Sequence, residues 1–152
     1  MKKKPLQLDD LDRKIIGELQ KNGRVSYKDI SKKLKISDGT VRFRVGKMIR
    51  NNFLRIMASI NPFALENSIL ALVAMQLERR TQKQTMETIS QLRGVVSVSN
   101  ATGRYDLLVE IFLDSQKELN KFLMDDLSKI GGIKATETFV SLDAINRWVE
   151  MR

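Results

Sequence analysis

Leu11, Ile15, Ile16 and Leu19 recur at the three-to-four-residue spacing of one helix face. Asp9, with Asp12 three positions on, has the form of an N-terminal cap, and Asn22-Gly23 ends the helix. Ser26-x-x-Asp29 caps a second, short helix that turns Tyr27, Ile30 and Leu34 inward. Only Lys35-Ile36 intervenes before Ser37, which caps a third helix running to about Asn51. Its apolar positions are Val41, Val45, Met48 and Ile49. A short helix, a tight turn and a longer helix make the helix-turn-helix pattern.

Beyond residue 52 the period changes. Phe53 to Ile60 reads as a short apolar strand, Asn61-Pro62 ends it, and the segment to Asn67 forms a hinge. Ser68 to Glu78 is a near-continuous apolar strand. Thr81-x-x-Gln84 caps a helix with Met86, Ile89 and Leu92 inward, closed by Gly94. Val95 to Ala101 and Tyr105 to Leu113 are the next strands. Ser115-x-x-Glu118 caps another helix with Leu119, Phe122, Leu123, Leu127 and Ile130 on its buried side, and Ile133 to Leu142 is the last strand. Leu92-Arg93-Gly94-Val95 is echoed 38 residues later by Ile130-Gly131-Gly132-Ile133 at the equivalent junction. The order β-α-β-β-α-β is the ferredoxin-like arrangement, with helices on one sheet face. The other face needs a cover, and symmetric self-association is the simplest one. Ala144, Ile145, Trp148 and Val149 give the tail one apolar face and predict a short helix. The fold class is therefore α+β, divided into 1–52, a hinge strand and linker at 53–67, a βαββαβ domain at 68–142, and a tail at 143–152.

The charge sharpens this division. Of the net +9, residues 1–61 contribute 16 basic and 6 acidic residues, a balance of +10, and the rest of the chain is close to neutral at −1. Such asymmetry points the first part toward a polyanion, with nucleic acid first and an anionic membrane surface second. Charge alone does not separate these from a well-solvated face. The chain has no cysteine and no histidine, which removes disulfides, thiolate nucleophiles, imidazole acid–base chemistry and Cys/His metal sites. No apolar run reaches the roughly 18 residues of a membrane span, and the basic start lacks a secretory core. The expectation is a cytoplasmic protein with no metal, no cofactor, no membrane contact and no enzymatic activity.

At 100° per residue, the third helix places its apolar positions within about a third of its circumference. Gly39, Thr40, Phe43, Lys47 and Arg50 lie opposite, flanked by Arg42 and Arg44. A phenylalanine in the middle of a cationic outer face suits a major groove, where it can meet a thymine methyl while Thr40 and Lys47 reach base edges or phosphates. Gly39 would let the backbone come close. Arg44 has an angle that also lets it pair with an acid on the second helix. The alternative is a packing or protein-docking surface. In the second part, the loop Thr102-Gly103-Arg104-Tyr105-Asp106 offers backbone N–H groups and a carboxylate, the complement of a free amino acid, and Thr136-x-Thr138 puts two hydroxyls on one side of the last strand. An ordinary hairpin turn and ordinary strand threonines explain both, and from the residues alone this plainer reading prevails.

Four segments in order resemble the Lrp/AsnC family, also known as feast/famine regulatory proteins. They are Leu8-Asp9-Asp10-Leu11-Asp12-Arg13-Lys14-Ile15-Ile16, continuing to Gly23-Arg24; Ile36-Ser37-x-x-Thr40-Val41-x-x-Arg44-Val45-x-x-Met48; Gly103-x-Tyr105-Asp106; and Thr136-x-Thr138. The resemblance implies a winged-type helix-turn-helix domain, a hinge strand, and a βαββαβ effector and assembly domain. It implies binding to palindromic promoter sites in double-stranded DNA as dimers, tetramers or octamers, modulated by an amino acid. By that likeness, Ser37, Gly39, Thr40, Arg42, Phe43, Arg44, Lys47 and Arg50 would meet DNA. Gly103, Tyr105 and Asp106 would line an effector site, with Thr136 and Thr138 near it. The chain departs from the family pattern at Lys35, Ser31, Asn52 and Arg104. The competing reading is an amino-acid-sensing module that regulates a protein partner without binding DNA. An RNA-binding sheet is disfavoured by its net −1 and the lack of an aromatic pair.

Overall fold

A computed structural model of the chain describes residues 7–78 and 83–151. Two units are present, residues 1–57 and 58–152.

In the first unit, local capping sets three helices. Asp9 caps α1 (Asp10–Lys21) by accepting from the Asp12 N–H at 2.8 Å, and Asp12 accepts in return from the Asp9 N–H at 3.3 Å. Two otherwise unpaired donors are thereby satisfied. Ser26 caps α2 (Tyr27–Leu34), accepting from the Asp29 N–H at 3.1 Å. Ser37 caps α3 (Asp38–Arg50). The turn between α2 and α3 requires a left-handed residue, and Lys35 takes it with φ +54°, where glycine would be unstrained. Asn52 does the same after α3, with φ +55°. Ile15, Leu19, Ile30, Val41, Val45 and Met48 form the core, with Leu8, Leu11, Ile16 and Leu54 packed around it. Ile49, expected inside, is 42% exposed, because its angle lies at the margin of the buried arc. Among the described residues no strand accompanies these helices.

The second unit is a four-stranded antiparallel sheet in the order β2-β3-β1-β4, from β1 (Ile69–Leu77), β2 (Val95–Asn100), β3 (Leu107–Leu113) and β4 (Ile133–Val140). Residues on one face of β1, namely Ala71, Val73 and Met75, pack with Ile89 of α4 (Lys83–Ser90) and Leu119 of α5 (Gln116–Lys121). The cap expected at Thr81 lies outside the described residues. The second helix does not run through as one α-helix. After α5, the Leu127 N–H reaches back five residues to the Phe122 carbonyl, and a single 3₁₀ turn ends the segment at Lys129. This wider turn lets Phe122 and Leu127 both enter the core. Gly94 (φ +79°) and Gly132 (φ +83°) occupy matching positions after α4 and α5, so the echo in the sequence is a repeat in the backbone. At Gly94 the requirement is also steric: a Cβ would lie 2.8 Å from the Phe112 carbonyl oxygen and collide with the Leu113 side chain.

Two expected elements are absent. The strand over 53–60 reduces to one bridge residue, Ile60, paired with Val149. An apolar run forms a strand only where another edge completes its ladder, and among the described residues of this run Ile60 alone forms a bridge. The tail is not helical. It is irregular, with Asn146 at φ +59°, and only Val149 of its four apolar side chains is buried, against Leu70 and Phe112 on the sheet face away from the helices. Arg147 forms an ion pair with Glu110 of β3, tying the tail down.

Candidate nucleic-acid interface

The exposed side of α3 begins at its cap. The Ser37 hydroxyl accepts from the Thr40 N–H at 3.0 Å and lies 2.8 Å from the Thr40 hydroxyl, so both oxygens are fixed at the helix N-terminus. Phe43 follows one turn later and is 65% exposed. Lys47 and Arg50 are exposed and make no ion pair among the described residues. Arg42 pairs with Asp38 at 3.3 Å and lies 5.5 Å from the centre of the Tyr27 ring. Both partners of that ion pair are largely in water, so it restrains Arg42 only weakly.

Arg44 does not pair with α2, as its angle allowed, but with the start of α1. Its Nη1 donates to Asp9 at 2.6 Å and to Asp12 at 2.9 Å. The hydrogen bond from Arg44, with the Asp12 N–H, holds the Asp9 carboxyl below its ordinary range, and the same pairing raises Arg44. A cleft of about 510 Å³ is lined by these acids together with Thr40, Phe43, Arg44 and Lys47, among others.

Gly39 and Gly46 stand seven residues apart, two turns, on the stripe that carries Phe43 and Arg50. Gly39 has no fold requirement for glycine: a Cβ there would meet only the Ser37 hydroxyl, at 3.8 Å. At Gly46 a Cβ would press on the mobile end of Arg50, at 3.0 Å. Gly46 was not among the residues expected to meet DNA, yet its seven-residue spacing from Gly39 carries the same signal.

In the second unit, the loop 101–106 closes as a hairpin, with the Ala101 N–H donating to the Asp106 carbonyl at 2.9 Å. The Asp106 carboxylate accepts from the Leu77 N–H at 2.9 Å, and the Gln76 side chain donates to the Arg104 carbonyl at 3.0 Å. Gly103 (φ +118°) and Arg104 are exposed at the tip, with Arg104 5.4 Å from the centre of the Tyr105 ring. Thr136 and Thr138 pair with Met75 and Val73 on the opposite side of β1. The register thus brings Asp106 and Thr136 to the same end of the sheet, separated by β1, about 10 Å at two strand spacings.

Comparison with known proteins decides the family. The AsnC-type helix-turn-helix domain matches residues 8–49, and the Lrp/AsnC ligand binding domain matches residues 70–148. The chain belongs to the Lrp/AsnC family. Among its relatives, an HTH-type transcriptional regulator of Pyrococcus furiosus is 39% identical over 142 residues, covering 93% of this chain and 95% of the relative. The HTH-type transcriptional regulator FL11 of the same organism is 31% identical over 145 residues, covering 95% of each. The solved structure of E. coli AsnC superposes with a TM-score of 0.76 at 24% identity, over 93% of this chain and 97% of that one. A Neisseria meningitidis transcriptional regulator solved as its L-Met complex gives 0.72 at 23%, over 93% and 94%. This Lrp/AsnC chain is accordingly a DNA-binding transcriptional regulator with a helix-turn-helix domain and a ligand-binding domain. Among its described residues, no helix is long and apolar enough to cross a membrane.

Proposed function

We propose that the outward face of α3 enters the major groove and reads palindromic promoter sites, with the protein acting as an oligomer modulated by an amino acid. The observation that carries this reading is Phe43, exposed on a helix whose free cations, Lys47 and Arg50, flank it. A solvated helix gains nothing from a bare aromatic ring, whereas a groove offers it a thymine methyl. Ser37 and Thr40 present hydroxyls at the helix N-terminus, Lys47, Arg50 and Arg42 meet phosphates, and Gly39 admits the backbone. A gel-shift titration of the chain with the duplex upstream of its own gene tests this. Binding far tighter than to a random duplex of equal length is expected. Equal affinity for both would contradict sequence reading.

In the second unit, the proposed effector is a free amino acid held around Gly103 and Tyr105, with Thr136 and Thr138 nearby and an oligomer partner closing the site. Asp106 pins the loop to β1 through Leu77, and any contact it makes with the ligand ammonium uses its remaining oxygen. The Neisseria complex with L-Met supports the ligand class. A thermal-shift screen of the amino acids should give a stabilisation that Asp106→Ala abolishes. Absence of any response would contradict the effector assignment. The open sheet face, where Leu72 and Phe139 are exposed side by side, supports self-association. Catalysis has no place in this reading.

A further inference from the structure

Arg44 lies on the recognition helix of a DNA-binding protein, yet its surroundings differ from those of its cationic neighbours. Its side chain is only 26% exposed. One guanidinium nitrogen bridges two carboxylates, at 2.6 Å and 2.9 Å. The four carboxylate oxygens divide their work between two tasks. Asp9 gives Oδ1 to the α1 cap and Oδ2 to Arg44, and Asp12 gives Oδ2 to the cap and Oδ1 to Arg44. The cap of α1 and the mid-point of α3 are therefore one hydrogen-bonded unit. Its three charged groups sum to −1, so a phosphate brought to Arg44 would meet two carboxylates beside one guanidinium. Turning Arg44 outward would also strand Asp12, whose side chain is only 13% exposed. Lys47, one turn further along the helix, makes no ion pair among the described residues and is free to neutralise a phosphate.

We propose that Arg44 is a positioning residue for DNA recognition: it remains on Asp9 and Asp12 in the DNA complex and fixes how α3 is presented, rather than contacting a phosphate. This rests on the DNA-reading role proposed for α3 and deepens it.

The test measures fluorescence anisotropy of the upstream duplex and of a random duplex with the full chain over a range of salt concentrations. Variants are used at a temperature where circular dichroism shows them folded. Lys47→Ala supplies the phosphate-contact benchmark: affinity for both duplexes falls together, and the log–log salt slope drops by about one. For Arg44→Gln the expected result differs. Discrimination between the duplexes falls about tenfold, while the slope is unchanged. Asp9→Asn with Asp12→Asn, which keeps an oxygen for each cap bond, loses a similar discrimination. Adding Arg44→Gln to that pair costs nothing more, since the groups through which Arg44 acts are already gone.

A slope loss of about one with discrimination intact would make Arg44 a phosphate contact and overturn the proposal. So would tighter specific binding in the double Asn variant, the sign of an arginine released to the duplex. A lowered melting temperature with DNA affinity and discrimination unchanged would reduce Arg44 to a stabilising role and also overturn it. If Arg44→Gln does not fold, the double Asn variant decides alone. Failure of the wild type to discriminate would appear before any variant is made and would strike the proposed function itself.

Discussion

Each unit leaves a large aromatic side chain in water, but the company differs. Phe43, on the first unit, is surrounded by Arg42, Lys47 and Arg50 and by two glycines. Phe139, on the second, stands opposite Leu72 in the β1–β4 ladder, with Trp148 exposed on the tail. A ring among cations suits a polyanion with apolar spots. A ring among apolar neighbours suits another apolar surface. Charge balance, +10 in the first 61 residues and −1 in the rest, divides the chain along the same line. The lesson is that exposure alone says little, and the chemistry around an exposed ring selects the partner.

The largest expected effect lies on the apolar side. Phe139→Asp places a charge where association would bury it, and should weaken self-association about 100-fold or more, read by light scattering against concentration. Melting of the helical unit should not move. An unchanged mass would remove the open face as the interface. Next is Gly94→Ala, which combines a left-handed backbone with the collision at Phe112 and Leu113 and should cost about 3 kcal/mol in urea unfolding. Gly132→Ala, with open space around it, should cost only about 1 kcal/mol. Equal costs would mean that backbone conformation alone decides both sites.

On the cationic side, Gly39→Ala should stabilise the helical unit by about 1 kcal/mol, because alanine favours helix and nothing blocks its methyl. It should at the same time weaken DNA binding several-fold. Greater stability with unchanged affinity would deny Gly39 a role in close approach. The smallest effect is acid-dependent. The Asp9 carboxyl, with an ordinary value of 3.8, is held lower in the folded chain, first by Arg44. The stability it contributes is complete above that ordinary value and is lost as pH falls through the depressed one. Melting curves from about pH 5 to about pH 2 should show this loss. In Asp9→Asn it should be smaller, what remains coming from Glu18, which Lys33 and Lys21 also hold below its ordinary range.

What was legible in the sequence was local. Asp9, Ser26, Ser37 and Ser115 were readable as caps because each bonds an N–H three residues away. Gly94 and Gly132 were readable because a helix end needs a left-handed residue. The rest depended on partners far along the chain. Asp106 was legible as a loop carboxylate, but not as the group that ties its loop to Leu77 across the sheet. Arg44 had an angle but no visible partner, since the acids it meets are 32 and 35 residues away. The tail showed helical spacing at Ala144, Ile145, Trp148 and Val149, but a segment this short does not sustain a helix without burying its face, and the sheet accepts only Val149. The apolar run from Phe53 signalled a strand without signalling that Ile60 alone, among the described residues of the run, would form a bridge.

The central claim is that α3 reads a duplex through its outward face. The most direct measurement is the affinity of Phe43→Ala, beside wild type, for the upstream duplex and for a random duplex over a range of salt concentrations. The account predicts that the ratio of the two affinities falls about tenfold while the salt slope stays that of wild type, because Phe43 contributes sequence reading and no charge. An unchanged ratio would place sequence reading elsewhere in the molecule and contradict the account.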